Sequence, residues 1–169
     1  MNVVVTDANV LIDLCELGML NAFFALPYDM HVVESVWEEL AEDQQLMYKP
    51  FISNGNFSVI AQTEIDLFEV DKIKQAKNQL SIPDCSSLVY AKVINGILLT
   101  GDKNLRTTAK AKEVEVRGHL WVFDEMVRTK VLSSKNAIDK LNELRTTVNP
   151  KLGLPQSDCD LKIKAWSEK

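Results

Sequence analysis

Aspartates stand shortly after two apolar runs of this chain, where parallel strands of a sheet would end. Asp7 follows a β-branched run at residues 3–5, and Asp102 follows an apolar run at residues 97–99. Short apolar runs of this kind are typical of strands that are covered on both faces of a parallel sheet. Ligands bind at the carboxyl ends of the strands in such sheets. Each aspartate alone is equally well explained as a helix cap, so a site requires further acids at the same edge.

Further acids are placed to reach that edge. Asp84 opens a predicted helix immediately before the strand at 97–99, and the start of this helix can be reached from the same edge. Glu38 and Glu39 stand on the helix predicted after the second strand, and their spacing alone does not choose between them. Asp13 lies among apolar neighbours on the first helix, where we expect a solvated or hydrogen-bonded side chain.

Clustered carboxylates disfavour one another's ionisation unless a positive charge lies between them. Mg²⁺ and Mn²⁺ are hard cations that prefer oxygen ligands, so they resolve this conflict. Such ions activate water and stabilise charge on a scissile phosphate. The acids therefore predict metal-dependent hydrolysis of phosphodiester bonds.

The elements that would position these acids alternate between strand and helix. This order predicts an α/β fold with a mostly parallel sheet and helices on both faces. Strands are predicted at 3–6, 30–33, 57–61, 97–99 and 114–116, the third of them at an edge. Helices are predicted at 10–14, 17–26, 34–43, 65–80, 85–94, 103–113, 133–145 and 155–166.

Local signals refine several of these boundaries. Asn9 is predicted to cap the first helix, and Asp84 stands where a cap is expected. Asn95 and Gly96 predict a left-handed stop for the helix at 85–94. Gly101 allows a tight exit from the strand that precedes Asp102.

Length and composition limit the class of protein. A chain of 169 residues is long enough for one domain with a sizeable core. Its net charge of −5 argues against binding nucleic acid through the overall field, but a bound cation would supply local positive charge. Three cysteines at unpatterned spacing fit reduced thiols, and neither a membrane span nor a signal peptide is evident. We therefore expect a cytoplasmic protein without membrane attachment.

Four segments together resemble the PIN (PilT N-terminus-like) domain family. They read VVVTDANVLIDL at 3–14, VWEEL at 36–40, IPDCSSLVYAKVINGILLTGDKNLR at 82–106 and VEVRGHLWVFDEMV at 114–127. PIN domains are three-layer α/β/α sandwiches, which implies a central, mostly parallel five-stranded sheet here. Many are ribonucleases that depend on Mg²⁺ or Mn²⁺, including the VapC toxins of toxin–antitoxin pairs. The resemblance implies a nuclease domain at 1–131, followed by a helical extension at 132–169 packed on the same domain.

The resemblance also implies roles for individual residues. The four acidic positions of the family match Asp7, Glu39, Asp84 and Asp102, which are the implied catalytic residues and metal ligands. Its small polar companion residue matches Asn9, which would position substrate. Many members carry an aromatic residue soon after the last aspartate, and none stands at 103–105 here.

Basic residues after Asp102 are candidate phosphate contacts. Lys103 and Arg106 stand on the helix that follows this aspartate, where they would bind an RNA substrate or simply face solvent.

Two other classes of function compete with an RNA endonuclease. One is an RNA- or protein-binding module whose nuclease activity is latent or absent, with an antitoxin and a second copy of the chain as candidate partners. Its partner or dimer surface would include an apolar set that is otherwise explained as core: Leu17, Leu20, Phe23 and Phe24. The other is a phospho-accepting receiver domain, which is disfavoured because residues 114–117 lack the required lysine. The tail after Arg145 is longer than a minimal toxin requires, which leaves room for a stand-alone protein.

Overall fold

A sheet of five parallel strands forms the centre of the protein in a computed structural model that describes residues 2–168. The strands are β1 (Val3–Thr6), β2 (Asp29–Val33), β3 (Phe57–Ile60), β4 (Ile97–Leu99) and β5 (Glu115–Arg117). Their order is β3-β2-β1-β4-β5, with every neighbouring pair parallel. The predicted parallel sheet and its edge strand at β3 are confirmed. Met1 and Lys169, which the predicted domain bounds include, lie outside the described residues.

Helices cover both faces of this sheet in a three-layer α/β/α arrangement. In chain order they are α1 (Ala8–Glu16), α2 (Leu20–Phe24), α3 (Glu34–Trp37), α4 (Glu42–Ser53), α5 (Leu67–Ala76), α6 (Ile82–Val93), α7 (Lys103–Ala111), α8 (His119–Arg128), α9 (Ser134–Glu143) and α10 (Gln156–Ser167). Helix α6 packs on β1, β2 and β4, with α5 and α7 beside it, whereas α8 packs with α2, α9 and α10. Helix α9 continues into a wider π-helical turn at Leu144–Val148, and short 3₁₀ turns occur at Gln62–Glu64 and Pro150–Leu152.

Strands β1 and β4 are neighbours inside the sheet, and their apolar side chains favour this position. Val4, Val5, Leu98 and Leu99 are fully buried, as expected for strands with helices on both sides. Thr6 of β1 pairs with Leu99 of β4 in the register of the ladder. The carboxyl ends of these strands therefore lie side by side.

The helix predicted at 34–43 is wrong in its extent. Helix α3 ends at Trp37, and Ala41 is extended with φ −63° and ψ 154° before α4 begins. Leu40 lies in the core on the connection that follows α3, with 4% of its surface exposed. Glu39 consequently lies in the connection between α3 and α4 rather than on a helix.

Two predicted caps are also corrected. Asp7, not Asn9, caps α1, and Asn9 lies exposed inside the first turn. Ser81 caps α6, and Asp84 is the third residue of that helix. The left-handed stop of α6 is confirmed at Asn95, where φ is 52°.

The apolar set proposed as a partner or dimer surface belongs to the core. Leu17, Leu20, Phe23 and Phe24 expose between 0% and 6% of their surface. Phe24 packs among Tyr48, Phe51 and Phe57, with ring centroids 4.2 to 6.0 Å apart. Their use as a docking surface is therefore wrong, because a partner would have to open the core to reach them.

The C-terminal segment packs on α8. Trp166 of α10 is buried against Phe123, and its indole N–H donates to Asp124 Oδ1 at 2.9 Å. Lys162 binds the other oxygen of the same carboxylate. A domain boundary at residue 131 stays a prediction.

All three cysteines are buried, and none of them is bonded to another. No helix in the described part of the chain is long and apolar enough to cross a membrane.

Candidate active site

Asp7 is the most deeply buried of the predicted acids, with 3% of its surface exposed. Its backbone N–H donates to Leu99 O at 3.1 Å, which ties the residue to the end of β4. Its Oδ1 accepts from the backbone N–H of Val10 at 2.9 Å and so caps α1. Its Oδ2 accepts from the hydroxyl of Thr100. Both the cap and the predicted site therefore use this one side chain.

Thr100 joins Asp7 to Asp102, and sequence reasoning missed it. The Thr100 hydroxyl donates to Asp7 and accepts from the backbone N–H of Asp102 at 3.0 Å. Asp102 Oδ1 caps α7 by accepting from Leu105 N at 2.7 Å. A fully buried hydroxyl thus sets the position of Asp102 relative to Asp7. Its signal in the sequence is a polar residue placed between an apolar strand and the aspartate.

Asp84 is held in place by Ser81. Its Oδ2 accepts from the Ser81 backbone N–H at 2.9 Å and from the Ser81 hydroxyl at 2.7 Å, while its own N–H donates to the Ser81 hydroxyl oxygen at 3.1 Å. This capping box uses one oxygen of the carboxylate. In the described structure, Oδ1 of Asp84 has no hydrogen-bond partner, and neither has Oδ2 of Asp102.

The charge of Asp84 raises the pKa of two of the other acids. Burial raises the pKa of Asp7 from 3.8 to about 6, and the charge of Asp84 adds to this effect. The hydrogen bonds from Thr100 and Val10 act in the opposite direction. Glu39 is exposed, and its pKa is raised first by partial desolvation and then by the charge of Asp84. A cation at this edge would relieve both penalties, because it favours the ionised carboxylates.

The donor chemistry of these residues fits a hard divalent cation. The four predicted acids supply only oxygen ligands, which Mg²⁺ and Mn²⁺ prefer. Within residues 2–168, no three His, Cys, Asp or Glu side chains are grouped closely enough to hold a metal ion between them. The assignment of Asp7, Glu39, Asp84 and Asp102 as metal ligands therefore stays a prediction.

The predicted phosphate contacts lie beside the Asp102 turn. Lys103 is exposed at the start of α7. Arg106 is half-buried, and its Nη1 donates to Thr100 O at 3.1 Å. A Cβ at residue 118 would lie 2.8 Å from this Nη1, so Gly118 leaves the space that the guanidinium occupies. The role of Asn9, Lys103 and Arg106 in binding substrate stays a prediction.

Asp13, His119 and Asn149 form a buried polar network near Asp7, and sequence reasoning missed this network as well. His119 Nε2 lies 2.8 Å from Asp13 Oδ2, and Asn149 Nδ2 donates to both oxygens of Asp13 at 3.1 and 3.3 Å. Asp13 and His119 are 3% and 4% exposed, so the expectation of a solvated Asp13 is wrong and that of a hydrogen-bonded one is confirmed. His119 is close enough to Asp7 to oppose the rise in its pKa.

Gly101 lets His119 approach the Asp102 turn. Its φ is not among the positive glycine values of the described residues, so the turn does not depend on a left-handed residue there. A Cβ at Gly101 would lie 2.7 Å from Leu152 Cδ1 and 3.0 Å from His119 Cε1. A larger residue at this position would therefore displace the end of the Leu152 side chain and press on His119.

The comparison with known proteins agrees with this architecture. No curated protein matches the chain. A family model described as a PIN domain matches residues 3–153, which include the whole sheet and all four predicted acids. The chain therefore belongs to the PIN-domain family and has its nuclease-type fold.

Proposed function

We propose that this protein is a metal-dependent endoribonuclease that uses Mg²⁺ or Mn²⁺ to hydrolyse phosphodiester bonds in RNA. The observation that carries the proposal is the buried carboxylate of Asp7 at the carboxyl edge of the sheet, whose pKa is raised chiefly by burial and to a smaller extent by the charge of Asp84. Such an arrangement costs folding free energy unless a cation is bound, so its presence favours a functional role.

Each acid has a defined task in this proposal. A divalent cation bound here would supply Lewis-acid activation of water and neutralise charge on the scissile phosphate. Asp7, Glu39, Asp84 and Asp102 would hold it. The capping bonds of Asp84 and Asp102 each fix one carboxylate oxygen and leave the other open to a ligand. Thr100 orients Asp7 and favours its ionised form.

The test is cleavage of a labelled single-stranded RNA with Mn²⁺, Mg²⁺ or EDTA. We expect cleavage with the ions only, and its loss in Asp102→Asn. The amide oxygen of asparagine still caps α7, so this variant should fold normally. Asp66→Asn is the matched control, because Asp66 caps α5 from a position outside the predicted site. Equal cleavage by Asp102→Asn and the unmodified protein would refute the assignment.

The same experiment addresses the competing binding-module hypothesis. A module without nuclease activity would bind the RNA and leave it intact with either ion. A toxin would in addition require an antitoxin that covers the acidic edge. A small open reading frame adjacent to this gene, whose product suppresses cleavage, would support a role as the toxin of a toxin–antitoxin pair.

A further inference from the structure

A pocket of about 350 Å³ adjoins the Asp102 turn on the side of β5 and α8. Thr100 and Gly101, the residues that precede Asp102, form part of its wall. The pocket thus begins where the proposed metal site ends. Its remaining walls come from α7, the start of α8 and the chain around residues 152–158.

Three cationic side chains line this pocket: Lys103, Arg106 and Arg117. Lys103 makes no ion pair or hydrogen bond through its ammonium group within the described structure. Arg117 pairs with Glu115 at 2.7 Å, but both side chains are about half exposed, so this pair holds it weakly. Asp158 is the one acidic residue on the lining. A net positive pocket in a chain of charge −5 suits a phosphate group.

The opposite wall is apolar and carries an indole ring. Trp121 is half-buried and lies against Tyr28, with ring centroids 5.2 Å apart. Leu152 and Leu154 continue the wall. Aromatic and aliphatic surface beside cations is the combination that binds an unstacked base and its phosphate.

A buried histidine forms part of the pocket wall. His119 lines the pocket, and its Nδ1 has no hydrogen-bond partner. The other ring nitrogen is held by Asp13, so the ring cannot turn to satisfy Nδ1 without losing that contact. Buried polar atoms are normally paired, and the unpaired Nδ1 is one of few such side-chain atoms among the described residues.

We propose that this pocket binds one nucleotide of the RNA strand, adjacent to the phosphodiester bond that is cleaved. The base lies along Trp121, and its phosphate contacts Lys103 and Arg117. The proposal rests on the proposed function for its RNA substrate. Three lining residues, Leu154, Pro155 and Asp158, follow the end of the family match at residue 153.

Binding of free nucleotides tests the pocket independently of RNA cleavage. The probes are the four ribonucleoside 5′-monophosphates and ribose 5-phosphate, titrated in EDTA with isothermal titration calorimetry as the readout. We expect saturable binding of at least one nucleotide, weakened about tenfold in Lys103→Ala and in Arg117→Ala, as the loss of a charged hydrogen bond predicts. Lys110→Ala is the matched control on α7, since Lys110 is exposed and outside the pocket.

Trp121→Leu tests the base contact. This variant should bind the preferred nucleotide about tenfold more weakly, while its binding of ribose 5-phosphate should not change. Undetectable nucleotide binding, or equal binding by the unmodified protein and the pocket variants, would overturn the proposal. Asp102→Asn should retain nucleotide binding in EDTA while losing RNA cleavage. Nucleotide binding by a protein that cleaves no RNA would refute the proposed function and leave the pocket established.

Discussion

Asp7→Asn should stabilise the protein at neutral pH in the absence of divalent cations. Asp7 is buried, and its pKa rises from 3.8 to about 6 on folding. Folding therefore disfavours the ionised carboxylate. An asparagine has no charge to bury and still presents an oxygen to the Val10 N–H that caps α1.

The magnitude follows from the pKa. A rise from 3.8 to about 6 corresponds to about 3 kcal/mol of unfolding free energy lost at neutral pH. Asparagine loses the hydrogen bond that Asp7 accepts from Thr100, which costs about 1 kcal/mol. The expected net gain is about 2 kcal/mol, or about 4–8 °C in Tm for a chain of this size.

The sign of the effect depends on pH. Between about pH 4 and pH 6 the unfolded chain has lost the proton of Asp7 while the folded protein keeps it, so stability falls as pH rises. The penalty is complete above the folded pKa and absent below the unfolded one. The advantage of Asp7→Asn should therefore disappear near pH 4, where only the lost hydrogen bond remains.

Urea unfolding in EDTA, followed by circular dichroism at several pH values, measures this difference. Asp66→Asn serves as the control, because Asp66 is an exposed helix cap. The reasoning fails if Asp7→Asn is less stable than the unmodified protein at about pH 7.5 by the same margin as at about pH 4. Added Mn²⁺ should stabilise the unmodified protein and have little effect on the variant, provided that Asp7 is a metal ligand.

Three further substitutions test other contacts. Thr100→Val removes a buried hydroxyl that bonds one site aspartate and the backbone of another, so we expect a loss of about 1.5–3 kcal/mol in urea unfolding and slower RNA cleavage. Tyr48→Phe leaves the Leu11 carbonyl without the bond that it accepts at 2.6 Å, and the unfolding free energy should fall by about 1 kcal/mol without any change in cleavage. Trp166→Ala opens a cavity over α8 and frees Asp124, so a loss of about 3–5 kcal/mol and faster proteolysis within α10 are expected. An unchanged unfolding free energy in any of the three variants would show that the contact removed by that substitution does not stabilise the protein.

Several errors in the sequence-based predictions arose where a local pattern had two solutions. The helix at 34–43 was extended through a charged stretch, whereas α3 ends at Trp37 and the chain is extended at Ala41 before α4 begins. The cap of α6 was assigned to Asp84, although Ser81 three residues earlier completes a capping box that can be recognised in sequence. In both cases a helix was predicted in the right region, and the error lay in its boundary.

Other features had no local signal. The contact between Asp13 and His119 joins residues 106 positions apart, and that between Asp13 and Asn149 joins residues 136 positions apart. No periodicity relates such positions, since the fold alone brings α1, α8 and the chain before α10 together. The pocket beside His119 was hidden from sequence reasoning for the same reason.

The sequence by itself determined the strands, most of the helices and the aspartates at the ends of β1 and β4, because apolar periodicity and short polar turns are local properties. It also carried the family resemblance, which the family match confirms. Only the tertiary structure decided that β1 and β4 are neighbours, that Thr100 links their aspartates, and that burial raises the pKa of Asp7. These properties arise from packing between distant segments, since desolvation and like-charge repulsion exist only after the chain has folded.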